Sequence, residues 1–423
     1  MKNIIALFTF VSFIIACNSC KKQIDEPTTI IDKDGVVLKQ PYLWKTSLTD
    51  SPYIGTFIYP SLICDNKMIF GAETNNSSEL ALINIETGEK IWQKPYASKE
   101  NIAVYSAYQI NNTAIVDDHN ANAVARCLNI ETGDFLWTFD KPGWFSPASI
   151  SGIDNTFFLC GQTQTVSKPY QLYAAWYGNI ETGETSEFFV PDITAIADTS
   201  SIVKQTGIAG GVESINPFKN QDGDVLLIIY HSTFFKSPAG EHYFSLYNFT
   251  KKIFIYRDIQ LSASGSFKIY KNKIYFTLFK EMCCYDLYTG SKIWSKSVPH
   301  LIGDLVITDN CIIAPQIDLY DSFLISMNIQ NGNLNWKVPT NQNLGYIRLL
   351  NGVIYFVSTG DAKLHAYEAS TGRELWRIES PDYAHDSGAF FMPECTVIPG
   401  KNGEKGKVIV SSYLNGFCYE AAR

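Results

Sequence analysis

The sequence predicts an all-β fold, an eight-bladed β-propeller of four-stranded antiparallel blades, closed by pairing of the N-terminal strand with the C-terminal blade. Three observations predict it. The 423 residues include 24 Tyr, 26 Phe and 8 Trp, types that favour strands. A short segment ending in Thr-Gly-x-x-x-Trp recurs along the chain. The two ends of the chain each carry part of one further repeat.

Composition bounds the function before any motif is read. With 46% hydrophobic residues the chain builds a substantial core, and 42 acidic against 34 basic side chains give a net charge of −8. No long Lys/Arg run is present, so the phosphate neutralisation that drives nucleic-acid binding has no footprint here, and nucleic acid is excluded as a partner. The first element is a leader. Lys2 precedes an apolar run, Ile4 to Ala16, too short to span a bilayer and placed as in an export signal. Ile14-Ile15-Ala16-Cys17 resembles a bacterial lipobox, which makes residues 1–16 a lipoprotein signal peptide and Cys17 the lipidated mature N-terminus. Cys20 is the alternative, with Cys17 standing where its aliphatic residue is expected. Residues 17–40 then read as a lipidated tether and residues 41–423 as a single propeller domain. Several acyl chains hold a protein stably on a membrane where one does not. Asn18 in place of Asp resembles sorting to the outer membrane, on its periplasmic or surface face.

Next come the repeats, sought before secondary structure because a period of this size defines the architecture. They are LINIETGEKIW (82–92), CLNIETGDFLW (127–137), CYDLYTGSKIW (284–294), SMNIQNGNLNW (326–336) and AYEASTGRELW (366–376). Two degraded copies lie between: YGNIETGETSE (177–187) loses the Trp, and LYNFTKKIFIY (246–256) replaces Gly with Lys252 and Trp with Tyr256. The turn glycines step by 45, 50, 107 over two repeats, 42 and 40 residues, each step one blade.

A second series is independent of the first. Strand-like runs at Lys67–Gly71, Thr113–Val116, Thr156–Cys160, Val225–Tyr230, Lys273–Phe279, Cys311–Ala314, Val353–Val357 and Lys407–Val410 mostly follow pairs such as Asp65-Asn66, Asp154-Asn155 and Asn351-Gly352. Those pairs tolerate the positive φ of a tight hairpin. Each repeat thus reads as an inner strand, a hairpin-linked second strand, a third entering the Thr-Gly turn and a fourth ending at Trp. The last repeat stops at Arg423 before a fourth strand, and Tyr42-Leu43-Trp44-Lys45 near the other end resembles the missing one. Joining the two leaves only short protected edges.

The residue types give the motif its role in docking blades. Gly takes the left-handed turn conformation without penalty, Thr and Asn/Asp side chains bond to turn backbone, and the indole packs between sheets. The docking residues are Trp44, Gly88, Trp92, Gly133, Trp137, Gly290, Trp294, Gly332, Trp336, Gly372 and Trp376. This pattern, over nearly all of residues 40–423, resembles the pyrroloquinoline-quinone-type β-propeller repeats. That family includes quinoprotein dehydrogenases and a non-catalytic propeller lipoprotein of the outer-membrane barrel-assembly machinery. Sites on a shared fold must be argued separately.

For a chemical site the sequence offers little. Quinoprotein dehydrogenases hold their quinone over a Ca²⁺ bound by Glu, Asn and Asp, and they are longer chains. Asp117-Asp118-His119-Asn120 lies in a hairpin without the spacing of a calcium loop, and Cys283-Cys284, which resembles the vicinal pair of some family enzymes, falls in a third strand. The other cysteines lack metal spacing and the six His are scattered. Neither a nucleophile elbow nor a phosphate-cradling loop appears. No catalytic residue, metal ligand or cofactor is assigned. Tyr59, Tyr105, Tyr108, Asp304 and Tyr346, which precede or begin second-strand hairpins, should rim the propeller channel, where tyrosines stack on a sugar or peptide or serve as core. The excursion from Ile193 to Asp224 departs most from the period, and long loops are often functional; it is the expected partner-contact region. The leading function is a non-enzymatic envelope scaffold acting through a protein partner, in outer-membrane protein assembly. A surface glycan- or ligand-binding propeller is the alternative, and a quinone-dependent oxidoreductase the second alternative.

Overall fold

A computed structural model describes residues 29–47, 60–73, 78–97, 107–118, 124–139, 150–162, 171–191, 208–233, 241–298, 300–301, 303–317, 321–340, 344, 346–383, 389–412 and 414–423. Among them every regular element is a strand. Three short strands come first: β1 (Ile30–Ile31), β2 (Val37–Lys39) and β3 (Trp44–Ser47). Two four-stranded sheets follow, β4 (Pro60–Cys64), β5 (Lys67–Glu73), β6 (Ser78–Asn84) and β7 (Lys90–Ala97), then β8 (Ala107–Ile110), β9 (Thr113–Asp118), β10 (Val124–Asn129) and β11 (Phe135–Phe139).

The next sheet has eight strands in two groups. They are β12 (Ser151–Ile153), β13 (Thr156–Gln162), β14 (Gln171–Asn179) and β15 (Thr185–Phe189), then β16 (Ile208–Lys219), β17 (Val225–Thr233), β18 (Glu241–Asn248) and β19 (Ile253–Leu261). A short parallel pairing of β14 with β16 joins the groups. Two regular sheets continue the chain: β20 (Gly265–Tyr270), β21 (Lys273–Leu278), β22 (Glu281–Asp286) and β23 (Lys292–Ser297), then β24 (Val306–Ile307), β25 (Cys311–Ile317), β26 (Ser322–Asn328) and β27 (Leu334–Thr340). The last strands are β28 (Arg348–Leu350), β29 (Val353–Val357), β30 (Leu364–Glu368), β31 (Glu374–Ile378), β32 (Phe391–Ile398), β33 (Lys407–Ser412) and β34 (Asn415–Glu420).

The chain ends meet inside these last sheets. β3 pairs antiparallel with β34, Trp44 opposite Cys418 and Ser47 opposite Asn415, in a sheet ordered β3-β34-β33-β32. β1 and β2 extend the sheet of β28–β31, with Val37 beside Trp376 in parallel. Within residues 17–40, read from sequence as a tether, Ile30–Ile31 and Val37–Lys39 are thus strands at a sheet edge joined by a turn, and Val36 and Val37 bury apolar surface there.

Each strand expected from a hairpin pair is present, as β5, β9, β13, β17, β21, β25, β29 and β33. Asp65, Asn111, Asp154, Asn272 and Asn351 at the preceding turns hold φ between 50° and 60°, the left-handed region that these short polar residues enter. The excursion expected from Ile193 to Asp224 is corrected from residue 208 onward: Ile208–Lys219 is β16, a strand antiparallel to β17. Its Gly210-Gly211 pair and Pro217 hide the strand signature. The glycines are required by space, since a Cβ on Gly211 would lie 2.5 Å from the Tyr173 backbone. Residues 192–207 of that excursion lie outside the described residues.

The core lies between successive sheets. Ile69, Leu80 and Leu82 pack on Ala114, Val116 and Leu128, and the next clusters link each sheet to the one after it. One cluster unites the two ends of the chain with the first sheet, Trp44, Ile409 and Cys418 meeting Met68, Phe70 and Ile83. First strands of neighbouring sheets touch one another, β4 with β8, β8 with β12, β12 with β16, and β32 with β4. Those strands are the inner ones.

Candidate functional site

Two features built by this scaffold bear on function, a set of clasped turns and a central cavity. In the turns the Asn or Asp that opens the loop holds it shut. Asn84 Oδ1 accepts from the Glu86 and Thr87 amides, and the Gly88 amide donates to the Asn84 carbonyl at 2.8 Å. Asn129, Asn179 and Asp286 do the same, as Asx-type turns do. Gly88 has φ +74°, and a Cβ there would meet the Trp44 ring at 2.7 Å, so glycine is demanded twice.

An aromatic ring from the preceding sheet lies on each turn. Trp44, Trp92, Trp137, Trp294 and Trp336 cover Gly88, Gly133, Gly183, Gly332 and Gly372. Each indole N–H donates to the carbonyl three residues before its glycine, Ile85 at 2.7 Å, Ile130 and Ile180 at 2.8 Å, Ile329 at 3.3 Å and Ala369 at 3.2 Å. Where the sequence has Tyr256 instead of Trp, its ring covers Gly290 and its hydroxyl donates to the Leu287 carbonyl at 3.0 Å. A phenol thus makes the same contact, one ring and one donor. Trp376 differs: it is buried edge-on against Tyr355, among Val408, Tyr419 and Ala421.

The cavity has a volume of about 650 Å³ and is bounded by inner strands β12, β16, β20 and β32 and by the segments before β24 and β28. Asp304 and Tyr346, two of the rim residues expected from sequence, line it. Asp304 accepts from Lys268 at 3.2 Å and lies 3.5 Å from the Arg348 guanidinium, which in turn sits over the Tyr346 ring. Tyr108 is elsewhere, partly buried against the cluster between β8 and β12 with its hydroxyl donating to the Asp154 carbonyl at 2.7 Å. Tyr59, Tyr105, Cys17 and Cys20 lie outside the described residues.

Two further carboxylates line the cavity, Glu213 and Glu394. Each stands in a β-bulge. The ladder of β16 on β17 skips Glu213 between Val212 and Ser214, and that of β32 on β33 skips from Phe391 to Cys395. A bulge re-aims a side chain, and bulges gather beside binding sites. Burial pushes the Glu394 carboxyl up to about 7 against the pull of Arg348. Behind Glu213, Tyr230 is 3.0 Å from His242 Nδ1 and its hydroxyl accepts from the Gly265 amide. Sequence reasoning missed both glutamates, since a bulge leaves no periodic signal.

A second cavity, about 460 Å³, is lined by residues 358–362, Tyr383 and residues 390–393. Beside it His365, 4% exposed, is held between Asp361 at 3.1 Å and Glu374 at 3.0 Å. Burial opposes the charge on His365, but the two carboxylates outweigh it and its pKa is raised.

The family resemblance implies, for its dehydrogenases, a quinone over Ca²⁺, a hard cation that takes several converging oxygen ligands. Among the described residues no group of three His, Cys, Asp or Glu side chains is disposed to hold a metal ion. Cys283 and Cys284 are buried in β22 with thiols pushed up to about 12 and about 11 by that burial, and neither lines the cavity. The residues described do not fit that pair of groups.

Comparison with known proteins agrees with the repeats. Residues 331–387 match the family described as outer membrane protein assembly factor BamB. No curated protein matches the chain in sequence. Among solved structures, BamB from Moraxella catarrhalis is similar at a TM-score of 0.58 and 12% identity, over 89% of this chain and 99% of that one. The quinohemoprotein alcohol dehydrogenase from Comamonas testosteroni is similar at 0.63 and 11%, over 90% of this chain and 77% of the other. A prolyl endopeptidase is similar at 0.53 and 11%, over 84% of this chain and 54% of the other. The fold is a PQQ-like β-propeller resembling that of BamB.

Proposed function

We propose that this chain, a PQQ-like β-propeller resembling BamB, is a lipid-anchored envelope protein that serves as a non-enzymatic scaffold in outer-membrane protein assembly. The observation that carries the reading is the extent of the likeness: 99% of the BamB chain is matched, against 77% of the dehydrogenase. We read the sheets as eight four-stranded blades closed into a ring, with the β14–β16 pairing joining two of them. The cluster of Trp44 with Met68 and Phe70 supports closure. The anchor is Cys17, with Cys20 as its alternative, and residues 17–29 lead from it to β1.

Capture of the full-length protein from crosslinked envelopes tests this. Co-purification of a barrel-assembly component is the expected result; a clean negative from a well-expressed bait would overturn it. The ligand-binding alternative rests on the cavity with Tyr346 at its wall. Saturable glycan binding that is lost on Tyr346→Ala would favour it.

A further inference from the structure

The central cavity carries a charge pattern that scaffolding does not require. Of its three lining carboxylates, Asp304 is neutralised by Lys268 and Arg348. Glu213 lies 3.7 Å from the Nδ1 of the buried His242, which is also 3.0 Å from the Tyr230 hydroxyl. Glu394 makes no hydrogen bond or ion pair among the described residues; Arg348 attracts it from a distance. Glu394 is thus the lining carboxylate without a partner among the described residues. Glu213 and Glu394 are the two carried by bulges on inner strands, β16 and β32. Around them lie Phe267, Tyr346, Ile215 and Pro393, apolar surface suited to a carbon chain or to a cation over a ring.

We propose that this cavity binds an alkylammonium group, with Glu213 and Glu394 holding the charge and Phe267 and Tyr346 flanking the alkyl chain. A metal ion is disfavoured by the donor arrangement, since among the described residues no three such ligands are gathered to hold one. A compact –NH₃⁺ with three donors is satisfied by fewer oxygen partners than a hard cation requires. The same chemistry comes from a free diamine or from a lysine side chain of a peptide. Binding places a positive charge beside Glu394, whose other neighbours are Arg348 and the buried Cys395 thiol. The cation therefore displaces a proton from Glu394 near neutral pH.

Isothermal titration of the full chain with cadaverine and with Nα-acetyl-lysine methylamide, and with pentanol, glutarate and glucose as controls, tests the proposal. Saturable binding of one or both amines and none of the controls is expected. Cadaverine alone identifies a free amine as the ligand, the lysine amide a peptide. Glu394→Gln and Glu213→Gln should each weaken binding by about tenfold, the loss expected for one charge-assisted contact. At pH 7 the heat should vary with buffer ionisation enthalpy in the parent chain and not in Glu394→Gln. Variants with unchanged melting curves that bind as the parent does would overturn the proposal, as would binding of glutarate or glucose instead of either amine. It stands apart from the scaffold reading: a failed titration leaves partner capture unaffected, and a failed capture leaves the titration unaffected.

Discussion

A single indole does two things in this protein. It fills the space over a glycine turn and satisfies a carbonyl of the neighbouring sheet, as Trp336 does with Gly372 and Ala369. Removing it opens a cavity and orphans that carbonyl together, so Trp336→Ala should cost about 3–5 kcal/mol in denaturant unfolding. An unchanged unfolding midpoint would refute the docking role. His365 gives a pH signature of opposite character to that of a paired carboxylate. Its folded pKa is raised, because the Asp361 and Glu374 bonds outweigh burial. Its contribution to stability is thus full below about pH 6.5 and lost as pH rises through the folded value. The stability difference between the parent and His365→Gln should be largest at about pH 5–6 and shrink above neutrality. A difference independent of pH would show that the imidazole charge plays no part.

At the scale of elements, the Thr-Gly-x-x-x-Trp repeats and the polar hairpin pairs made most strands legible, because turns and their caps are local. β16 was not legible, since Gly210-Gly211 and Pro217 break its alternation while long-range pairing with β17 holds it as a strand. The bulges at Glu213 and Glu394 were invisible for the same reason: they exist only relative to a partner strand. Of the rim tyrosines, Tyr346 reached the cavity and Tyr108 did not, because Tyr108 lies within β8 and turns toward β12. The N-terminal strands differ in what they secure. β2 meets β31 at one residue pair, whereas β3 pairs four residues with β34 and carries the buried Trp44. A chain starting at Pro41 should therefore melt close to the parent. One starting at Leu48 should lose at least roughly 3–5 kcal/mol, the scale of a buried Trp, in the same denaturant assay. Equal losses for both would refute the distinction.

Across the whole molecule, each sheet is joined to the next by an apolar cluster, and most junctions add a clasped turn. Contacts of this kind couple neighbours, and calorimetry should show one endothermic transition. Well-separated transitions would mean that the sheets unfold as independent units. Many of the pairings lie close in sequence, which favours quick local formation, but β3 with β34 and Lys45 with Asp382 join residues more than three hundred positions apart. That last pairing has a consequence for biogenesis. A polypeptide made from its amino end presents Trp44 long before Cys418 has been synthesised. Strand β3, with its apolar Trp44, must then wait unpaired for the final strand. A holding chaperone would have its greatest effect on that interval, which lengthens with every residue inserted between the two.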